Sequence, residues 1–282
     1  MSVVPNRNLP LAVRRPASDI EPWYGPPREF NYLTEVQPVF DRYCVQCHDY
    51  GGEAGKNLNL AGDLGLVFNT SYCDLRAKSP VRWTPEPPGA RKVLVKVVDD
   101  GPPQVLPPYT WGARRSRLMD RILDEHGGEK VDRESLERVA TWIDLNGVYY
   151  GTYASAYPDN PFGRSPLTSD QLNRLAELTG LKVGTQELEM NGSQVSFTRP
   201  EASRCLDGFE DTSDPKYKEA LDIIVAGQGQ LAARPRADMP GFVLVRPIEL
   251  EQQAKYNAQV EKEAAVQQAM IRGEKWQEPR EP

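Results

Sequence analysis

Cys44-Val45-Gln46-Cys47-His48 constrains this chain more than any other feature, because five residues hold two of its four cysteines and one of its two histidines. A C-x-x-C-H string is expected by chance roughly four times in 10,000 chains of this composition. The spacing has a chemical use. Two thiols one helical turn apart can form thioether bonds to the two vinyl groups of a haem, and the adjacent imidazole then lies under the iron as proximal ligand. A zinc site needs further clustered ligands, and the remaining cysteines and histidine are scattered singly. A thioredoxin-like pair wants its first thiol at a helix N-terminus, whereas this pair closes a helical pattern, where the dipole disfavours thiolate. Covalent haem c, held by Cys44 and Cys47 with His48 on the iron, is the expectation.

The residues before the motif agree with it. Thr34 and Gln37 have capping-box spacing, and Pro38 fits only a first helical turn. Val36, Val39, Phe40, Tyr43, Cys44 and Cys47 then share one helix face, so a single helix over about 34–48 is expected to carry both thiols to one apolar side.

A second axial ligand must come from little material. His126, the other histidine, follows Met119, Ile122 and Leu123 at i, i+3, i+4 and i+7, which extends the apolar stripe of a helix from near Ser116 to the Gly127-Gly128 stop. Met119 lies on the same face and competes for the iron, since His/Met ligation is frequent in cytochromes. Met190 and Met239 are further candidates, Met239 in the loop-like Asp238-Met239-Pro240-Gly241. An open sixth position is the remaining alternative.

Composition excludes several classes. The net charge of −6 over 282 residues argues against a nucleic-acid binder, and no apolar run approaches the roughly 18 residues of a membrane span. The 25 prolines show no period, so long irregular connections are expected rather than a fibrous repeat. The fold class expected is mainly α: a cytochrome c-like haem domain with long irregular loops, a smaller C-terminal α+β unit and a polar terminal helix. Residues 1–33 read as an extended Pro-rich arm and 34–154 as the haem domain. Within the latter, 49–115 shows only short apolar pieces, including the strand-like 93–98, and wrapping a cofactor would justify so long a loop. Helices follow at about 116–126 and 133–146, the second capped by Asp132 and stopped by Asn146-Gly147.

Residues 155–247 read as the α+β unit. It has a helix near 169–179 ending at Gly180, a hairpin signal at Asn191-Gly192, and a helix opened by Asp214-Pro215 and ended by Gly227. Residues 248–282 read as a polar helix and tail. Cys73 and Cys205 remain as a possible disulfide or as two buried thiols. Calcium in the Asp- and Asn-containing loop 56–74 has no specific motif behind it.

Several stretches resemble one family. Leu11-Ala12-Val13-Arg14-Arg15-Pro16-Ala17-Ser18, the run Val36 to Asp49, Leu60-Ala61-Gly62-Asp63, Phe68-Asn69-Thr70-Ser71-Tyr72 and Trp142-Ile143-Asp144-Leu145-Asn146 followed by Tyr149-Tyr150-Gly151-Thr152-Tyr153 occur in the order found in the C-terminal haem region of the hydrazine synthase alpha subunit and its relatives. The resemblance covers most of 10–155 and, more loosely, Phe197-Thr198-Arg199-Pro200 to Ala226. It implies a bis-histidine haem c with His126 as distal ligand, in an extracytoplasmic multi-haem assembly. Such alpha subunits carry an earlier C-x-x-C-H before the Arg-Arg-Pro stretch, where ammonia is thought to react. This chain lacks that motif, and Met1 opens no export signal, so a longer parent with a further haem is expected and catalysis is not carried over.

Three functions are thus weighed. Electron transfer by a six-coordinate haem among other haem proteins leads. A catalytic or gas-binding haem in hydrazine-forming or related nitrogen chemistry would need an exchangeable site and acid/base groups, for which Tyr109, Asp124 and Glu125 are near in sequence but not distinctive. An assembly subunit with a structural haem, docking through the terminal helix, is the third.

Overall fold

The segment leading to the motif forms two short helices where a single one over 34–48 was expected. Asn31 caps α1 (Tyr32–Glu35) by accepting from Leu33 N. The chain then breaks at Val36, and α2 (Gln37–Tyr43) follows with Pro38 in its first turn. The capping box of Thr34 and Gln37 does not form, because the Gln37 side chain is buried and used elsewhere. Its amide donates to Asp41 Oδ1 and the Leu60 carbonyl, and its carbonyl oxygen accepts from Asn69 and Ser71. This computed structural model describes residues 22–26, 28–77, 94–95, 105, 107–188 and 192–274. Of these, 53% are helical and none is in a strand, so the mainly α expectation holds.

Further helices are α3 (Glu53–Asn57), α4 (Thr70–Ala77), α5 (Arg117–Leu123) and α6 (Arg133–Asp144), then α7 (Ser169–Thr179), α8 (Val183–Leu188), α9 (Pro215–Ala233) and α10 (Pro247–Ile271). Local signals explain most of the later ones. Asp132 caps α6 by accepting from Ser135 N, a full capping box of Thr168 and Gln171 opens α7 before the left-handed Gly180, and Asp214-Pro215 opens α9. Two expectations on α9 and its neighbour need correction. Gly227 lies inside α9 rather than at its end, since a Cβ there would meet the Phe197 ring at 2.3 Å. The glycine lets that ring pack directly on the helix. Residues 193–197 run buried without strand pairing, and of the expected Asn191-Gly192 hairpin turn only Gly192 falls within the described residues.

Two apolar cores share the molecule. The first is aromatic: Tyr32 stacks on Tyr149 and packs edge-on against Tyr72 and Trp142, with Val36, Phe40, Leu75, Val139 and Ile143 around them. The second gathers Leu167, Leu175, Val195, Phe197, Ala220, Ile224 and Leu231 from the C-terminal half. It also takes Leu66 and Val67 from the loop between α3 and α4, while Phe68 touches both cores. That loop therefore plugs the first half into the second across a line of sequence division near 154.

Of the arm, Trp23 and Tyr24 pack on α6: the Arg138 guanidinium covers both rings, and Glu35 binds both Arg28 and Arg138. The strand-like 93–98 lies outside the described residues except for Leu94 and the fully buried Val95. The polar helix expected at the C-terminus is α10, and among the described residues no helix is long and apolar enough to cross a membrane.

Candidate functional site

The C-x-x-C-H motif begins where α2 stops. Cys44 is the C-cap, and its N–H and that of Val45 both donate to the Phe40 carbonyl. Cys47 N and His48 N then donate to the Cys44 carbonyl at 3.1 and 3.0 Å, which winds the motif into one further turn. Cys44 is half-buried and Cys47 exposed. Burial, with the neighbouring Cys47 and Glu129 adding to it, pushes the Cys44 thiol up to about 11. A thiol held there is not a thiolate at neutral pH, which removes the basis for a thioredoxin-like reading.

His48 is fixed at three atoms. Its carbonyl accepts from Leu60 N at 2.8 Å, its N–H is used within the turn, and Nδ1 lies 2.9 Å from the Leu58 carbonyl oxygen. A carbonyl can only accept, so Nδ1 carries a proton, and in the neutral imidazole Nε2 is the nitrogen with the lone pair. This is the tautomer a metal-ligating histidine needs.

His126 takes its place differently from the expectation. Helix α5 ends at Leu123, and Glu125 adopts a left-handed conformation with φ 51° and ψ 45°. His126 therefore lies in a 3₁₀ turn, His126–Gly128, exposed and off the apolar stripe it was read to extend. Gly127 and Gly128 continue the turn at φ 75° and 80°. Tethers between the next segment and the motif bring this turn over it. Gln46 Nε2 donates to Glu129 Oε1 at 3.2 Å, and the Tyr43 hydroxyl donates to Asp132 Oδ2 at 2.7 Å.

The result is a close pair of imidazoles: the His48 and His126 ring centroids are 6.2 Å apart with planes at 45°. An imidazole nitrogen lies about 1.1 Å from its ring centre and a metal–imidazole bond is about 2.0 Å, so two imidazoles in line on one metal have centroids about 6.2 Å apart. The only two histidines of the chain thus have the separation that one shared iron requires. The first core carries a fringe of half-buried apolar side chains on the same segments, including Val45, Leu58, Ile122, Val131 and Leu136.

Among the methionines, Met119 is buried in the first core and Met190 lies outside the described residues. Met239 packs against the second core, its sulfur accepting from Arg236 N at 3.4 Å. Tyr109, Asp124 and Glu125 are all exposed. Cys73 and Cys205 are buried and not joined by a disulfide.

The carboxylates after the motif have partners that sequence reading missed. Arg199 binds Asp49 through both terminal nitrogens at 3.0 and 2.7 Å, reaches Asp63 at 2.8 and 2.6 Å, and covers the Tyr50 ring. Arg204 grips the fully buried Asp74 at 2.7 and 2.9 Å. In loop 56–74, where calcium was considered, Asp63 and Asp74 face guanidinium groups. Among the described residues no three His, Cys, Asp or Glu side chains converge as a metal site. No family model, curated protein or solved structure matches this chain.

Proposed function

We propose that the chain is a mono-haem c-type cytochrome unit that passes electrons within a multi-haem redox assembly. Cys44 and Cys47 hold the porphyrin through thioethers, His48 is the proximal ligand and His126 the distal one. The carrying observation is the 6.2 Å separation of the two imidazoles. The Leu58 acceptor on His48 Nδ1 supports it, because an axial histidine held through its second nitrogen keeps its orientation in both oxidation states.

Bound there, the haem supplies a one-electron ferric/ferrous couple. The chain's own contribution is to keep two ligands in place, so that little rearrangement accompanies the redox step. Haem c attachment takes place outside the reducing cytoplasm, which makes an extracytoplasmic compartment and other haem proteins as partners part of the reading. The likeness to the hydrazine synthase alpha haem region supports the multi-haem setting.

The test is expression with a haem c maturation system, followed by the reduced visible spectrum with and without carbon monoxide. One covalent haem per chain, low-spin and unchanged by carbon monoxide, is expected. A chain that matures without covalent haem overturns the proposal. The exposure of His126 favours a second reading, an exchangeable sixth site for a small ligand, and a shifted Soret band on adding carbon monoxide would put that reading first.

A further inference from the structure

The hydrogen bond on the proximal imidazole does not end at Leu58. The Leu58 carbonyl and the Asn59 N–H belong to one planar peptide group. Its oxygen accepts from His48 Nδ1 at 2.9 Å, and its N–H donates to Asp74 Oδ2 at 2.8 Å. Asp74 is fully buried in α4, and Arg204 fixes both of its oxygens from the C-terminal half. The same peptide is thus pinned at both ends, imidazole on one side and carboxylate on the other.

The carboxylate end of this arrangement is shielded from water: Asp74 is fully buried, while Arg204 keeps about a quarter of its side chain exposed. Gly192 crosses the ion pair so closely that a Cβ there would lie 2.6 Å from Arg204 Nη1 and 2.8 Å from Asp74 Oδ1, and its φ of 95° is one that side chains rarely adopt. Away from water, a carboxylate accepting from a peptide N–H polarises that peptide and makes its carbonyl a stronger acceptor. A stronger acceptor draws the Nδ1 proton and raises the basicity of the metal-facing nitrogen.

We propose that Asp74, held by Arg204, is a positioning residue for the proximal ligand, acting through the Leu58–Asn59 peptide to set the basicity of His48 and so the midpoint potential of the iron. This rests on the haem reading above. It gives the C-terminal half a part in the redox site although both proposed histidine ligands lie in the first half.

The experiment compares matured Asp74→Asn, Arg204→Lys and Asp63→Asn with the parent. Midpoint potential and exchange of the His48 Nδ1 proton, seen by NMR, are the readouts. Asp63 is a control carboxylate on the same loop that is also paired with arginine but does not touch this peptide. Asp74→Asn weakens the acceptor chain, so a higher potential and several-fold faster Nδ1 exchange are expected. Arg204→Lys keeps every charge but loses the two-pronged grip, so it moves both readouts the same way by less. Asp63→Asn should leave Nδ1 exchange at the parental rate. If Asp74→Asn and Arg204→Lys lower only the melting temperature and leave Nδ1 exchange unchanged, the inference is overturned while the haem reading stands. A parent chain that takes up no covalent haem overturns both.

Discussion

His48 and His126 are neighbours with ring centroids 6.2 Å apart, yet the chain holds them in opposite ways. His48 closes a turn wound on α2 and is bonded through its N–H, carbonyl and ring nitrogen, and the segments around it are tied to the second half by buried ion pairs. His126 rides a surface turn of left-handed Glu125 and two positive-φ glycines, and among the described residues its imidazole makes no hydrogen bond. One side of the site is framework and the other is a flap tethered at Glu129 and Asp132. The difference separates two tasks. On the proposed haem reading the proximal ligand is the one built into the framework, while the distal ligand sits on a surface turn where a substitution does not disturb the fold.

The largest effect expected from this contrast is at Arg236. Its side chain is fully buried, pairs with the equally buried Asp238, and donates to the Gly65 and Leu66 carbonyls of the loop that plugs into the second core. Arg236→Met leaves Asp238 with the Tyr149 hydroxyl but no counter-charge, and removing one partner of a buried pair costs roughly 3–5 kcal/mol. Urea unfolding at neutral pH measures this. A loss below about 1 kcal/mol would mean that the proximal framework is not held by its buried charges.

Arg199→Gln is the next step down. It frees the mostly buried Asp63 and the half-exposed Asp49, and because Arg199 is itself partly exposed the expected cost is about 1–2 kcal/mol. A cost equal to that of Arg236→Met would erase the gradient from the buried interior to the rim of the site.

His126→Ala tests the other side. Truncating an exposed residue usually changes stability by about 0.5 kcal/mol or less apart from any ligand bond it makes. The covalent haem should be retained while the iron turns high-spin and binds carbon monoxide. A variant that stayed low-spin would remove His126 from the iron and return Met119 to consideration.

What could be read from the sequence follows the range of the forces involved. The caps of α6 and α9, the helix at 169–179 and its stop at Gly180 rest on signals within a few residues, and they stand where they were expected. Helices α3 and α4 were missed because the residues positioning that stretch are polar. Gln37, Asn69 and Ser71 make its buried bonds, and no apolar periodicity marks them. The pairs of Arg199 and Arg204 with Asp49, Asp63 and Asp74 span 130–150 residues, and a charge in a sequence carries no address. His126 was singled out by scarcity and lies beside His48, but it does not extend the apolar stripe assigned to it. The chain leaves the helix at Asp124, before the stripe reaches it.

The smallest effect concerns the tether of the flap. Asp132 accepts from Ser135 N, from the Tyr43 hydroxyl and from the Ser135 hydroxyl, and these bonds hold its carboxyl down from an ordinary 3.8 to about 2. A carboxyl lowered by folding contributes stability that is full above its unfolded value and lost as pH falls through the folded one. Its contribution should therefore fade between about pH 4 and pH 2. Asp132→Asn keeps a good helix cap but gives up the charged acceptor. The variant should unfold at slightly lower urea than the parent at neutral pH, and the two midpoints should converge as the pH falls to 2. A gap that stayed constant down to that pH would show that the flap is tied by the shape of the cap and not by its charge.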